Sequence, residues 1–315
     1  MKVCAILNPR AGLAARRALA ALEQSRPAWG ALKVTLTDHA GHARELAEAA
    51  AREGYELALA AGGDGTANEV ASGLLGTQTA FGVVPVGSGN GLARTLRIPR
   101  DPWRALALLE TGVRRRMDVG VANGRPFLNV AGAGLDAEVG AEFQARGLKG
   151  GRRGILPYVL IALSRALRHR PTHWTLDTAG QRLCQRAVIV AFVNGREYGA
   201  SAVIAPGARL DDGLLDIVVI DETPYLEMFL NAPRLWVGSI EGFRRYRRIA
   251  AAEATLTAEA PFIHHRDGEP EAEAAALTVT VRPRALEVLV PRATAEHPKG
   301  PFLAAGHAAS PEPRA

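Results

Sequence analysis

The chain has 315 residues, 48% of them hydrophobic and 22% charged, the balance of a globular protein with a sizeable core. At roughly 150 residues per domain the length predicts two domains. A net charge of +6 admits nucleotides, nucleic acids or anionic membranes as partners without choosing among them. Two distant cysteines, Cys4 and Cys184, exclude a disulfide framework or a cysteine zinc site and suit a reducing cytoplasm. No stretch approaches the roughly 18 apolar residues of a membrane span, and the opening apolar run is too short for a signal peptide.

In chain order, Lys2 to Leu7 reads as a buried strand, Asn8-Pro9-Arg10-Ala11-Gly12 as a turn, and Arg16 to Gln24 as a helix. Lys33 to Leu36 is a second strand, ending in Thr37 to His42, and Ala43 to Glu53 a second helix. Leu57 to Ala61 is an apolar run that stops at Gly62-Gly63-Asp64-Gly65-Thr66. Thr66 and Glu69 have the spacing of a capping box, so a helix is expected to start there. Phe81 to Val84 leads into Gly87-Ser88-Gly89-Asn90-Gly91, and Pro102 to Glu110 forms one more helix. The alternation predicts βαβ units and a parallel sheet, whose ligands bind beyond the carboxyl ends of the strands. Four loops converge there. Glycines that admit close backbone approach, beside a helix N-terminus, suit phosphate. Neither glycine loop is a Walker A sequence, and no GxGxxG follows the first strand. Asp64 reads as a metal ligand, a base or a turn former.

From about residue 117 the rhythm changes to strands with few helices between them, predicting a mainly antiparallel second half. Two helical segments interrupt it, Ile155 to His169 and Tyr225 to Arg247. The expected boundaries are 1–116 for the first domain and 117–291 for the second, with the last strand able to return to the first. A tail at 292–315, rich in Pro, Ala and charge, is expected to be disordered. Asp267-Gly268-Glu269 has the dipeptide of a hairpin turn and two carboxylates. His264 and His265 beside it read as solvated loop residues.

The Gly62–Thr66 loop together with Pro85–Arg94 resembles the catalytic domain of the diacylglycerol kinase and sphingosine kinase family. Asn8-Pro9 with Gly12, Thr37 with Gly41-His42-Ala43, the stretch Phe127–Ala137, the stretch Ile204–Asp216, and Asp267-Gly268-Glu269 match further motifs in the family's order. The resemblance runs almost end to end. It implies an α/β N-terminal domain with a parallel, Rossmann-like sheet similar to NAD kinases and phosphofructokinases. It implies a mainly antiparallel β-sandwich as the C-terminal domain.

The activity implied is transfer of the ATP γ-phosphate to a lipid hydroxyl, with ATP and Mg²⁺ as cofactors. Asn8, Pro9, Arg10, Thr37, His42, Gly62, Gly63, Gly65, Thr66, Asn68, Gly87, Ser88, Gly89 and Asn90 would then hold ATP. Asp64, Asp267 and Glu269 would be catalytic, with Asp64 or Glu269 as the base and Asp64 and Asp267 toward metal. Asp212 resembles a structural Mg²⁺ site in some members, and Asp136 stands near the lipid headgroup. Leu13 departs from a Lys found in some members, for which Arg10, Arg16 or Arg17 would have to substitute. Asn90-Gly91 departs from the Asn-Asp of many diacylglycerol-type bacterial members and leans toward a sphingoid lipid.

A diacylglycerol-type lipid is the first reading of the substrate. The alternatives are a sphingoid base or ceramide, NAD, or a non-catalytic nucleotide- or lipid-binding role. Nucleic acid is not expected, because no recognised module accompanies the charge; a homodimer is left open. The basic, apolar segments Arg152–Arg170 and Leu235–Ile249 suggest a cytoplasmic protein that touches the anionic inner face of the membrane.

Overall fold

A computed structural model of the chain describes residues 1–146, 161–162, 164–197 and 202–303. Among the described residues two compact units are present: Met1–Asp118 with 283–303, and Val119–Arg282.

In the first unit, strands β1 (Val3–Leu7), β2 (Leu32–Leu36), β3 (Leu57–Gly62) and β4 (Ala80–Pro85) are parallel, in the spatial order β2-β1-β3-β4. β1, β3 and β4 are buried along their whole length, which is why they read as unbroken apolar runs. Helices α1 (Leu13–Trp29), α2 (His42–Arg52) and α3 (Asp64–Leu74) connect successive strands. Gly73 lets α3 approach α2, since a Cβ there would come within 2.6 Å of the Arg44 carbonyl oxygen. Beyond β4 come α4 (Gly91–Thr95), then α5 (Pro102–Leu106) and α6 (Leu108–Thr111) in place of the single helix expected over Pro102 to Glu110.

The second unit is an antiparallel sandwich built around one long strand. β5 (Val113–Ala122), β6 (Arg125–Phe127), β7 (Val130–Gly134) and α7 (Leu135–Ala145) are followed by β8 (Thr172–Thr178) and β9 (Arg182–Val193). β10 (Leu215–Asp221), β11 (Tyr246–Ala251), β12 (Glu253–Phe262), β13 (His264–Arg266), β14 (Glu269–Pro270) and β15 (Ala274–Val290) complete the strands. β9 pairs antiparallel with β7, β8 and β10. Its alternation divides two cores. Val190 and Phe192 pack with Trp174, Ile217 and Leu256, while Ala191 and Val193 pack with Ile204, Val218 and Phe243.

Several expectations are corrected. Tyr225 to Arg247 is not one helix: an α-helix covers Tyr225–Asn231, short 3₁₀ turns follow at Ala232–Leu235 and Ile240–Gly242, and Tyr246 begins β11. Pro233, Gly238 and Gly242 break the helical run. Most of the expected helix at Ile155 to His169 lies outside the described residues. α7 interrupts the expected run of strands, and its acidic first turn, Asp136 and Glu138, suits a helix N-terminus. His264 and His265 are buried strand residues, not solvated ones.

The stretch 292–303 is ordered rather than a loose tail; residues 304–315 lie outside the described residues. Thr294 Oγ1 donates to the Leu96 carbonyl at 2.9 Å, and Arg115 Nη2 to that of Leu303 at 2.7 Å. Phe302 is fully buried under the Arg115 guanidinium, 5.2 Å from its ring centre. Phe302→Ala is therefore expected to cost about 3–5 kcal/mol in urea unfolding, the loss typical of a large aromatic removed from a core.

Candidate active site

Strands β1 to β4 end at Leu7, Leu36, Gly62 and Pro85, so all four motif loops leave the same end of one parallel sheet. The loops are tied to one another. Asn8 caps the turn after β1 by accepting from the Arg10 amide at 3.0 Å, and its Nδ2 donates to Thr66 Oγ1 at 3.2 Å. Arg10 Nη2 donates to the Asp38 carbonyl in the loop after β2, at 3.2 Å. His42 Nδ1 accepts from the Asp38 amide, and its ring stacks on His39 at 4.8 Å. Thr37 donates its amide to the Leu7 carbonyl at 3.0 Å. Pro9 opens a 3₁₀ turn, where its ring suits the first helical position.

Glu69 does not cap its own helix. Its two carboxylate oxygens accept from the Gly41 amide at 2.9 Å and the Ala43 amide at 3.1 Å, binding orphan donors at the start of α2. α3 instead begins at Asp64 with Gly63 as its cap, so Asp64, Gly65 and Thr66 form its first turn. The absence of any side-chain cap at Gly41 is the signal that could have pointed to an outside partner. Asn68 Oδ1, one turn on, accepts from Ser72 Oγ at 3.3 Å.

The two glycine loops meet backbone to backbone. A Cβ on Gly87 would lie 2.4 Å from the Gly63 α-carbon, and one on Gly89 would lie 2.4 Å from Asp64 Oδ2. Gly62 is closed over Thr66 in the same way. Asn90 holds the second loop in shape from a left-handed conformation, φ 53°, accepting from the Gly87 amide at 3.1 Å and donating to its carbonyl at 2.5 Å. Ser88 is exposed at the tip. This is a rigid cradle of small residues with a helix N-terminus in it, the surroundings that suit a polyphosphate. Leu13 is 73% exposed at the start of α1, and Arg17 is engaged by Asp101 at 3.4 Å.

In the second unit, β13 and β14 pair Arg266 with Glu269 around a two-residue turn, Asp267-Gly268, with φ 49° and 80°. Two successive positive φ angles make this the Asp-Gly hairpin turn. The Asp267 carboxylate accepts three backbone amides, from Leu128 at 2.8 Å, Asn129 at 2.8 Å and Val130 at 3.1 Å. Both of its oxygens are thereby engaged with the chain leading into β7. Glu269 follows on β14 and is exposed.

His265 links this turn to the start of α7. The Gly268 amide donates to His265 Nδ1 at 3.3 Å, which puts the ring hydrogen on Nε2, 3.0 Å from Asp136 Oδ2. Asp136 Oδ1 accepts from the Ala137 amide at 2.8 Å. His264 is buried next to them, and burial pushes its imidazole below the ordinary range, toward the neutral form. Asp212 Oδ1 accepts from the Leu214 amide at 3.1 Å in a turn beside Asp216, Glu241 and Tyr246.

Among the described residues no three His, Cys, Asp or Glu side chains converge as a metal cage. A cage is not what Mg²⁺ requires at a phosphate site, where it takes one or two carboxylates, waters and phosphate oxygens. Asp64 beside the glycine loops fits that pattern; Asp267, with its oxygens on three amides, fits an anchoring role better.

Residues 2–122 match the diacylglycerol kinase catalytic domain, and residues 129–290 the YegS C-terminal NAD kinase beta sandwich-like domain. The chain belongs to the YegS-like and diacylglycerol kinase family of lipid kinases. A protein of this family from Pseudomonas fluorescens Pf-5, named probable lipid kinase YegS-like, is 31% identical over 274 residues, 86% of this chain and 90% of that one. A diacylglycerol kinase from Bacillus subtilis is 34% identical over 194 residues, 61% of this chain and 63% of that one. The crystal structure of a diacylglycerol kinase from Bacillus anthracis shares the fold, with a TM-score of 0.71 at 23% identity over 93% of this chain and 97% of that one. This lipid kinase therefore has the α/β and β-sandwich architecture of its family.

Two substitutions probe the geometry. Gly87→Ala drives a methyl group into the Gly63 backbone and is expected to cost about 1–3 kcal/mol in urea unfolding, as overpacking does, and to weaken ATP binding in a calorimetric titration. Asp267→Asn replaces one accepting oxygen by a donor and should destabilise the protein by about 1–3 kcal/mol with no metal or nucleotide present. A side chain that serves only as a metal ligand would leave that metal-free unfolding curve unchanged.

Proposed function

We propose that this lipid kinase transfers the γ-phosphate of ATP to the hydroxyl of a diacylglycerol-type lipid. The observation that carries the nucleotide half of this reading is the interlocked cradle at the ends of β1 to β4, where Gly63 and Gly87 touch and Asp64 lies against Gly89. Phosphoryl transfer asks the protein chiefly for positioning and charge stabilisation. In this reading backbone amides of Gly62–Thr66 and Gly87–Asn90 hold the phosphates. Asn8, Arg10, Thr37, His42 and Asn68 fix the loops around the nucleotide, with Pro9 and Thr66 setting their shape.

Mg²⁺, held by Asp64 together with water and phosphate oxygens, would neutralise charge on the transferring group. Either Glu269 or Asp64 takes the proton from the lipid hydroxyl. Asp267 acts as a positioning residue, fixing the turn that carries Glu269 through its three amide bonds. Asp136, oriented by His265, faces the polar end of the lipid. Asp212 is a candidate for a second, structural Mg²⁺. The chain works from the aqueous side of a bilayer at its inner face; among the described residues no helix is long and apolar enough to cross one. The small residue after Asn90 keeps a sphingoid base or ceramide as the second reading of the acceptor.

The test is an ATP phosphotransfer assay over diacylglycerol, sphingosine, ceramide, phosphatidylglycerol and NAD. Diacylglycerol is expected to be the best acceptor, and Asp64→Ala and Glu269→Ala to lower turnover by about 10²-fold or more. Phosphorylation of NAD and of no lipid would overturn the acceptor. Full activity in both variants would overturn the site.

A further inference from the structure

Among the described residues eleven large apolar side chains are exposed, and six of them fall within one short stretch of the second unit. These are Tyr225, Leu226, Phe229, Leu230, Trp236 and Val237, with exposures of 46%, 70%, 63%, 66%, 44% and 74%. Single exposed apolar residues are ordinary; a contiguous run of several hundred Å² marks an interaction site. The helix Tyr225–Asn231 that carries four of them has no buried residue. On a 100° helical wheel positions 225, 226, 229 and 230 share one arc, while Met228 turns the other way into the cluster with Leu135, Val139 and Val188. Leu235, between the two exposed groups, packs against the core of Ile204, Ile240 and Phe243. The stretch is thus pinned from beneath and apolar above.

The charges around it are arranged for an anionic, apolar partner. Glu227 is the one acid on the helix. It accepts from Arg244 at 2.7 Å and from Arg245 at 3.0 Å, and these bonds hold its carboxyl below the ordinary carboxylate range. No carboxylate of this helix is left uncompensated beside the apolar arc. Arg244 keeps its side chain 73% exposed. Tyr225 donates its hydroxyl to the His169 carbonyl at 3.3 Å, and Arg168 and Arg170 on either side of that residue are exposed. Leu167 adds a further apolar side chain at 59% exposure.

Tyr and Trp at the edges, Leu and Phe between them, and arginines at the rim are the composition of a segment that seats in a lipid interface. Of the basic, apolar segment Leu235–Ile249, Trp236, Val237 and Arg244 belong to this surface, and the rest is engaged elsewhere. Phe243 is buried there, Arg247 pairs with Asp221, and Arg248 pairs with Asp216.

We infer that the face formed by Tyr225, Leu226, Phe229, Leu230, Trp236 and Val237 docks the enzyme on an anionic bilayer, these side chains entering the headgroup boundary. The inference rests on the lipid-kinase reading, which requires access to an acceptor that resides in a membrane. A second copy of the chain is the competing occupant.

The experiment is flotation with vesicles of phosphatidylcholine alone and with added phosphatidylglycerol, without ATP, comparing wild type with Leu226→Glu/Phe229→Glu. Wild type is expected to float with the anionic vesicles. The double variant should lose at least about tenfold in partitioning, the scale of two apolar side chains withdrawn from a lipid interface. Its thermal unfolding and oligomeric state should be unchanged, and its activity on a detergent-dispersed short-chain lipid should stay within about twofold. Wild-type binding in the double variant overturns the inference. So does a wild-type dimer that the substitutions split while vesicle binding persists. A wild type that floats yet phosphorylates no dispersed lipid overturns the acceptor assignment alone and leaves the surface supported.

Discussion

The candidate nucleotide site depends on the absence of a side chain at Gly87. Gly87 lies against the Gly63 backbone, and a Cβ on it would come within 2.4 Å of the Gly63 α-carbon. This contact sets the separation of the β3 and β4 loops, aligns the first turn of α3, and holds the Asp64 carboxylate over Gly89. The surrounding bonds reinforce that geometry. Asn8 reaches Thr66, Glu69 reaches Gly41 and Ala43, and Asn90 closes its own loop. A site that stabilises developing charge gains most from dipoles already in place, because none must reorganise during the reaction.

The acidic turn of the second unit follows a related logic with opposite polarity. Here backbone amides converge on a carboxylate supplied by the protein. Asp267 satisfies three donors on the chain entering β7, while the adjoining peptide reaches His265 and through it Asp136. Hydrogen bonds to a charged acceptor are stronger than neutral ones, and a ring of them at a two-residue turn leaves little freedom to the residue that follows. Glu269 therefore projects from a fixed base, even though its own side chain is exposed.

The first unit was legible because buried parallel strands leave continuous apolar runs that end abruptly at glycine, and such runs locate the loops that follow them. Partners distant in sequence were not legible. Glu69 has a spacing that suits its own helix equally well, and its true partners lie in another loop. Arg247 and Arg248 read as part of an open basic surface because Asp221 and Asp216, which they pair with, stand on other elements. His264 and His265 sit in a strand of three residues, too short for alternation to announce burial. The ordered stretch after Val290 has the composition of a tail, and only its fit around Arg115 and Phe302 reveals otherwise.

The path of the chain carries a consequence for biogenesis. The first unit is completed by residues 283–303, and Val288 of β15 pairs in parallel with Phe81 of β4. During synthesis β4 must therefore wait for this neighbour until the whole of Val119–Arg282 has emerged. The second unit is continuous and can close on itself while the first still presents an unpaired edge. Long-range parallel pairing forms slowly, and open edges invite association with other chains. The nascent β4 edge is therefore the part of the first unit most open to association with other chains until the strand that carries Val288 has emerged.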